Sequence, residues 1–224
     1  MNKIEENTVK AENQLKKNDY IQIEDNGGLR ILFVGNSITR HGPKAEIGWY
    51  HDFGMAASDI SKDYVHLVLN ELSVKEEISY CICQAAEWEW KYKTGSEVLN
   101  LYEDAQKFNA DIIVMRIIEN CNISDFNGEL FEREYKKLID YLNYSGKAKI
   151  ILTTGFWKHP GDNNIIKVGE DNGYETIYLG DLGELDEMKA IGKFQHRGVS
   201  IHPGDKGMRA IADRILKKIK EEKV

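Results

Sequence analysis

The stretch "RILFVGNSITRHG", Arg30 to Gly42, decides how the rest of the chain is read. Ile31 to Val34 form an unbroken apolar run that stops at Gly35-Asn36-Ser37. A continuous apolar run of this length fits a strand buried on both faces, which is the habit of parallel sheets. A serine placed directly after such a strand sits in a tight turn at the sheet edge. Its hydroxyl and its own backbone N–H both open toward the crevice there. Ser37 is therefore the candidate nucleophile, and the remaining sequence is searched for what nucleophilic attack requires.

Further strands are expected at "ISYCIC" (78–83), "DIIVMRII" (111–118), "KIILTTG" (149–155) and "ETIYLG" (175–180). Helical stretches lie between them: "SDISKDYVHLVLNEL", "SEVLNLYEDAQKF" with Ser96 as cap, "ELFEREYKKLIDYLNYS" and "IIKVGEDNG". The final helix, "DKGMRAIADRILKKIKEE", puts Met208, Ile211, Ile215 and Ile219 on one face, with Asp205 as cap. Apolar strands alternating with helices give a three-layer α/β/α sandwich with a five-stranded parallel sheet of flavodoxin-like order. Residues 1–28 read as a polar N-terminal arm with room for a short strand at "DYIQIE", and 29–224 as the single domain.

The 224-residue chain carries 37 acidic and 30 basic residues, a formal charge of −7. This balance argues against a nucleic-acid partner. No run approaches the ~18 apolar residues of a membrane span, so no membrane partner is expected. The N-terminal stretch lacks the apolar core of a secretory signal, which points to a cytoplasmic protein. Cys81, Cys83 and Cys121 lie in or beside apolar strands and read as buried thiols of a reducing compartment. A metal site through Cys-x-Cys has no nearby histidine to complete it.

A serine hydroxyl needs a base to take its proton. Of six histidines, His202 is best placed: it lies in "GVSIHPGDKGM", the loop before the last helix, which reaches over the same sheet edge as Ser37. "FVGNSIT", "RIIENC" and "HPGDKGMRAIADRI" resemble signature blocks of the SGNH (GDSL-like) hydrolase family, across about residues 30–220. The resemblance implies Ser37 as nucleophile, His202 as base, and Asn120 as an oxyanion donor with the Ser37 N–H and a backbone N–H after the second strand. That last donor falls at Ala85 or Ala86, in "CQAAEWEW". The sequence departs from the family pattern at Asn36 for aspartate, Ile118 for glycine and Val199 for the aspartate three residues before the histidine. Three possibilities stay open for the missing acid. A backbone carbonyl orients His202, another acid does so (Glu119, Glu46 or Asp59), or the site is inactive.

Plainer roles compete at each position: a cap or turn for Ser37, packing against Pro203 for His202, an Asx turn for Asn120. The long segment after Ser37 is expected to shape a substrate pocket. Trp49, Tyr50, Trp88, Trp90 and Trp157 are candidate sugar platforms or packing groups, Arg40 and His41 candidate contacts for a polar substrate, and Lys158–His159 a surface pair. The function that fits is a serine esterase removing a small acyl group, such as acetyl, from a carbohydrate or other polar ester. It requires no metal or organic cofactor, and the oligomeric state is not readable. The alternative is a non-catalytic carbohydrate-binding protein on the same scaffold. A flavin or nucleotide binder is weaker, because "GNSITRHG" lacks a glycine-rich phosphate cradle.

Overall fold

The computed structural model describes residues 20–221. Residues 1–19 of the expected arm and the last three residues of the C-terminal stretch lie outside them. The strands are β1 (Ile21–Glu24), β2 (Leu29–Gly35), β3 (Ile78–Gln84), β4 (Ile112–Arg116), β5 (Lys149–Thr153) and β6 (Glu175–Ile177). They form one sheet in the order β1-β3-β2-β4-β5-β6. β2 to β6 pair in parallel, and β1 adds to β3 antiparallel. The five expected strands are present in flavodoxin-like order. The sixth, β1, comes from "DYIQIE": its Ile21 and Ile23 face Cys83 and Cys81 of β3, so part of the polar stretch is sheet.

Alternation along β2 divides the core. Ile31 and Phe33 point to one apolar layer, Leu32 and Val34 to the other. The first layer is closed by helices α1 (Tyr64–Leu72) and α7 (Asp205–Lys220). The second is closed by α3 (Glu103–Lys107), α4 (Gly128–Leu142) and α5 (Asp162–Asn172), with α2 (Ala86–Lys91) at its upper end. Both faces of β2 being covered is why its sequence is apolar at every step. α6 (Arg197–Ser200) is a single turn between β6 and α7.

Several local expectations differ. "SEVLNLY" is a 3-10 stretch, Ser96–Tyr102, entered through Gly95 with no side-chain cap from Ser96. Gly204 occupies the cap position of α7, because the Asp205 carboxylate is drawn outward to the Ser58 N–H, the Ser58 hydroxyl and Lys62. α2 is formed by "AEWEWK", a stretch not among the expected helices. The long segment after Ser37 is a folded lobe. His41 bridges Phe53, Lys44 bridges Trp49, and Ile47, Trp49, Phe53 and Met55 enter the first apolar layer. No helix among the described residues is long and apolar enough to cross a membrane.

Candidate active site

The parallel register aligns the carboxyl ends of the central strands: Gly35 lies opposite Gln84 on one side and Arg116 on the other. The segments that follow, at 36–41, 85–91, 117–121 and 154–157, therefore crowd one edge, as ligand-binding loops do in such sheets. Gly35 allows the first turn to fold tightly. A Cβ there would meet the Thr39 hydroxyl at 1.7 Å. The turn is closed by the Thr39 and Arg40 N–H groups on the Asn36 carbonyl, and it is anchored to the lobe by the Met55 N–H on the Ser37 carbonyl. Ser37 is half-buried, and its own N–H donates no hydrogen bond among the described residues.

His202 arrives from the opposite end of the chain. Its Nε2 lies 2.8 Å from Ser37 Oγ, within reach for proton transfer. Its Nδ1 lies 2.5 Å from the Gly198 carbonyl. A carbonyl only accepts, so Nδ1 carries the proton and Nε2 presents a lone pair to the serine hydroxyl. The carbonyl is available because the His202 N–H turns instead to Val199. Burial holds the His202 imidazole well down, to about 3, with the Gly198 bond working in the other direction. The ring is therefore neutral, and able to accept, across the ordinary pH range. Trp157 packs its ring edge-on against it, with centroids 5.1 Å apart.

Among the described residues, no carboxylate stands behind His202. Val199, at the family's acidic position, has 0% exposure and belongs to the apolar layer. Glu119 does not orient the histidine. Both its oxygens bind Arg116, at 2.8 and 3.0 Å, and it also takes the Asn36 amide and the Phe156 N–H. The Asp59 carboxylate is occupied by the N–H and hydroxyl of Ser61. Of the possible orienting groups, the geometry matches the backbone carbonyl.

The oxyanion candidates fare unequally. Asn120 is half-buried beside the turn, its amide donating one N–H to Glu89 at 2.7 Å. The Ala85 N–H is spent on the Gly35 carbonyl, extending the β2–β3 ladder, and the Ala86 N–H on the Gln84 side chain. Ala86 is thus not an open donor. Neither of the polar substrate candidates is free to serve: His41 is fully buried with Nδ1 on the Gly42 carbonyl, and Arg40 pairs with Asp52 at 2.7 Å. Trp49 and Trp88 are core residues, whereas Tyr50 is 68% exposed. His159 is not at the surface. It is buried, with Nε2 on the Cys121 carbonyl and Nδ1 accepting from the Gly161 N–H. His66 is held by Asp63 at the start of α1. Burial raises the thiol pKa of Cys81, Cys83 and Cys121, and all three are free.

Sequence reasoning missed Glu89 and Arg116. Glu89 lies under the turn, 1% exposed, and Arg116 is fully buried beside it. The available signal was "AAEWEW", where acidic residues interrupt an otherwise apolar run.

Neither protein-family models nor curated proteins yield a match to this sequence. Solved structures do. The esterase EstA from Pseudoalteromonas sp., inhibited by monoethylphosphonate, aligns with a TM-score of 0.55 at 13% identity, over 86% of this chain and 97% of that one. An active-site mutant of a family two carbohydrate esterase from Clostridium thermocellum aligns with a TM-score of 0.59 at 16% identity, over 86% of this chain. This chain spans only 63% of that longer protein. A member of the lipolytic G-D-S-L family from Veillonella parvula aligns with a TM-score of 0.51 at 13% identity, over 87% of this chain and all of that one. The fold is that of the SGNH hydrolases. Ser37 lies on the turn after β2, and His202 in the loop before α7.

Proposed function

We propose that this protein is a serine esterase that removes a small acyl group, such as acetyl, from a carbohydrate or another polar ester. The observation that carries the reading is the 2.8 Å contact between Ser37 Oγ and His202 Nε2. In this reading Ser37 attacks the ester carbonyl while His202 takes its proton. The tetrahedral oxyanion is met by the Ser37 N–H and the Asn120 amide. His202 then returns the proton to the leaving alcohol, and the acyl-serine is hydrolysed by water that the same imidazole activates. The cycle calls for no cofactor. The acylated-sugar preference is supported by the carbohydrate esterase among the structural neighbours and by Trp157 and Tyr50 near strand-end loops. Buried, unpaired thiols support a cytoplasmic setting.

The test is turnover of 4-nitrophenyl acetate and of an acetylated oligosaccharide by the wild type, Ser37→Ala and His202→Ala. Each substitution is expected to lower kcat by about 10³-fold or more. Equal inertness of all three proteins, with measurable sugar binding, would replace the esterase with the non-catalytic carbohydrate-binding reading.

A further inference from the structure

Under the Ser37 turn, five side chains from three strand ends form one buried polar network. The Asn36 amide donates to Glu119 at 2.7 Å and to Glu89 at 3.1 Å, while its carbonyl oxygen accepts from Arg116 at 2.6 Å. Arg116 also grips both oxygens of Glu119, which takes a fourth donor from the Phe156 N–H. Glu119 is thereby satisfied as an anion. Glu89 is not matched in the same way. Its three donors are neutral amides: Asn36, the Asn120 side chain at 2.7 Å and the Asn120 backbone N–H at 3.3 Å. The guanidinium of the network is committed to Glu119 and to the Asn36 oxygen.

We propose that Glu89 is a positioning residue: its ionised carboxylate clamps the side-chain and backbone N–H groups of Asn120, and a proton on Glu89 releases that clamp. An ionised carboxylate accepts at both oxygens, whereas a carboxylic acid gives up one acceptor to its own hydrogen. With Glu89 ionised, one hydrogen of the Asn120 amide is fixed inward and the second is left for the oxyanion. With Glu89 protonated, Asn120 loses a partner and its direction. The inference rests on the esterase reading with Asn120 as an oxyanion donor.

The surroundings of Glu89 favour a proton being present near neutrality. Burial, then the charge of Glu119, hold its carboxyl up at about 7, against the opposing pull of Asn120 and Asn36. The groups facing it are Asn36 from the turn after β2, Glu119 and Asn120 from the segment after β4, the Cys121 thiol just beyond, and the Tyr135 hydroxyl from α4; Arg116 reaches it only through Asn36. His202 is already neutral above about 3, so it does not produce a rate change near pH 7.

Two observables then run in opposite directions with pH. Catalysis rises as Glu89 ionises. Stability falls, because a carboxyl raised in the folded state contributes fully below its unfolded value of ~4.3 and loses that contribution as pH climbs through about 7. The experiment measures kcat and KM for 4-nitrophenyl acetate, with the melting temperature, from pH 5 to 9 in the wild type, Glu89→Gln and Asn120→Ala. For the wild type, kcat should rise roughly ten- to a hundred-fold across neutrality with little change in KM, and the melting temperature should fall. Glu89→Gln should flatten both profiles. Asn120→Ala should flatten the rate profile while keeping the pH dependence of melting. A rate limb that persists in Glu89→Gln, or in Asn120→Ala if the former does not fold, overturns the inference. If no ester is turned over, the esterase reading fails separately. The proton on Glu89 is then read from melting alone, and identical slopes in wild type and Glu89→Gln overturn it.

Discussion

The two sides of Ser37 are built from opposite materials. Toward α7, the serine meets a neutral imidazole, an indole edge and a backbone carbonyl, with Val199 filling the place of an acid. Toward β4, it rests on a mesh of two carboxylates, one guanidinium and two amides. A serine–histidine pair oriented by a carbonyl leaves the imidazolium without a countercharge. An orienting carboxylate is worth ~10⁴ in rate in a serine protease. The difference teaches that carboxylates have not left this site. They stand on the side that shapes the turn and holds Asn120, not on the side of His202.

The contrast is broken most severely by Arg116→Met. It removes the sole cation of the mesh and leaves Glu119 buried and unpaired, so unfolding free energy is expected to fall by about 3–5 kcal/mol, read as an earlier denaturant midpoint. Val199→Asp attempts to give the other side the acid it lacks. Because Val199 lies in the apolar layer and Nδ1 already holds the Gly198 carbonyl, the expected outcome is about 3 kcal/mol of destabilisation with no gain in kcat. Faster ester turnover would show that the two sides are interchangeable. The mildest probe is Trp157→Ala, which removes the edge contact on His202 and should cost about 0.5–1.5 kcal/mol in transition-state stabilisation, a two- to tenfold fall in kcat/KM, with the fold intact.

The sheet was legible because its evidence is local. Apolar runs such as "RILFVG" and "DIIVMRII" announce strands buried on both faces, and the spacing of Met208, Ile211 and Ile215 announces a helix. Ser37 and His202 were legible because a strand-to-serine turn and a punctuated loop before a final helix mark where a parallel sheet gathers its ligands. The mesh was hidden, since its members come from separate strand ends and none has a pattern of its own. Glu119 is one of three acids the sequence offers for the histidine, yet Arg116, three residues earlier, claims it. The cap assigned to Asp205 failed for a similar reason: a partner 147 positions away, Ser58, competes for the carboxylate. α2 escaped notice because its two tryptophans and two glutamates mask a helical period over only six residues.

The Gly198 carbonyl has a further consequence, one of inheritance. A side-chain acid can be erased by a single codon change, and with it the alignment of its histidine. The group aligning His202 belongs to the peptide backbone, four residues upstream within the same short turn, so every amino acid encoded at position 198 carries it. Alignment of the ring then makes no demand on the side chain at position 199, which is left to packing in the apolar layer.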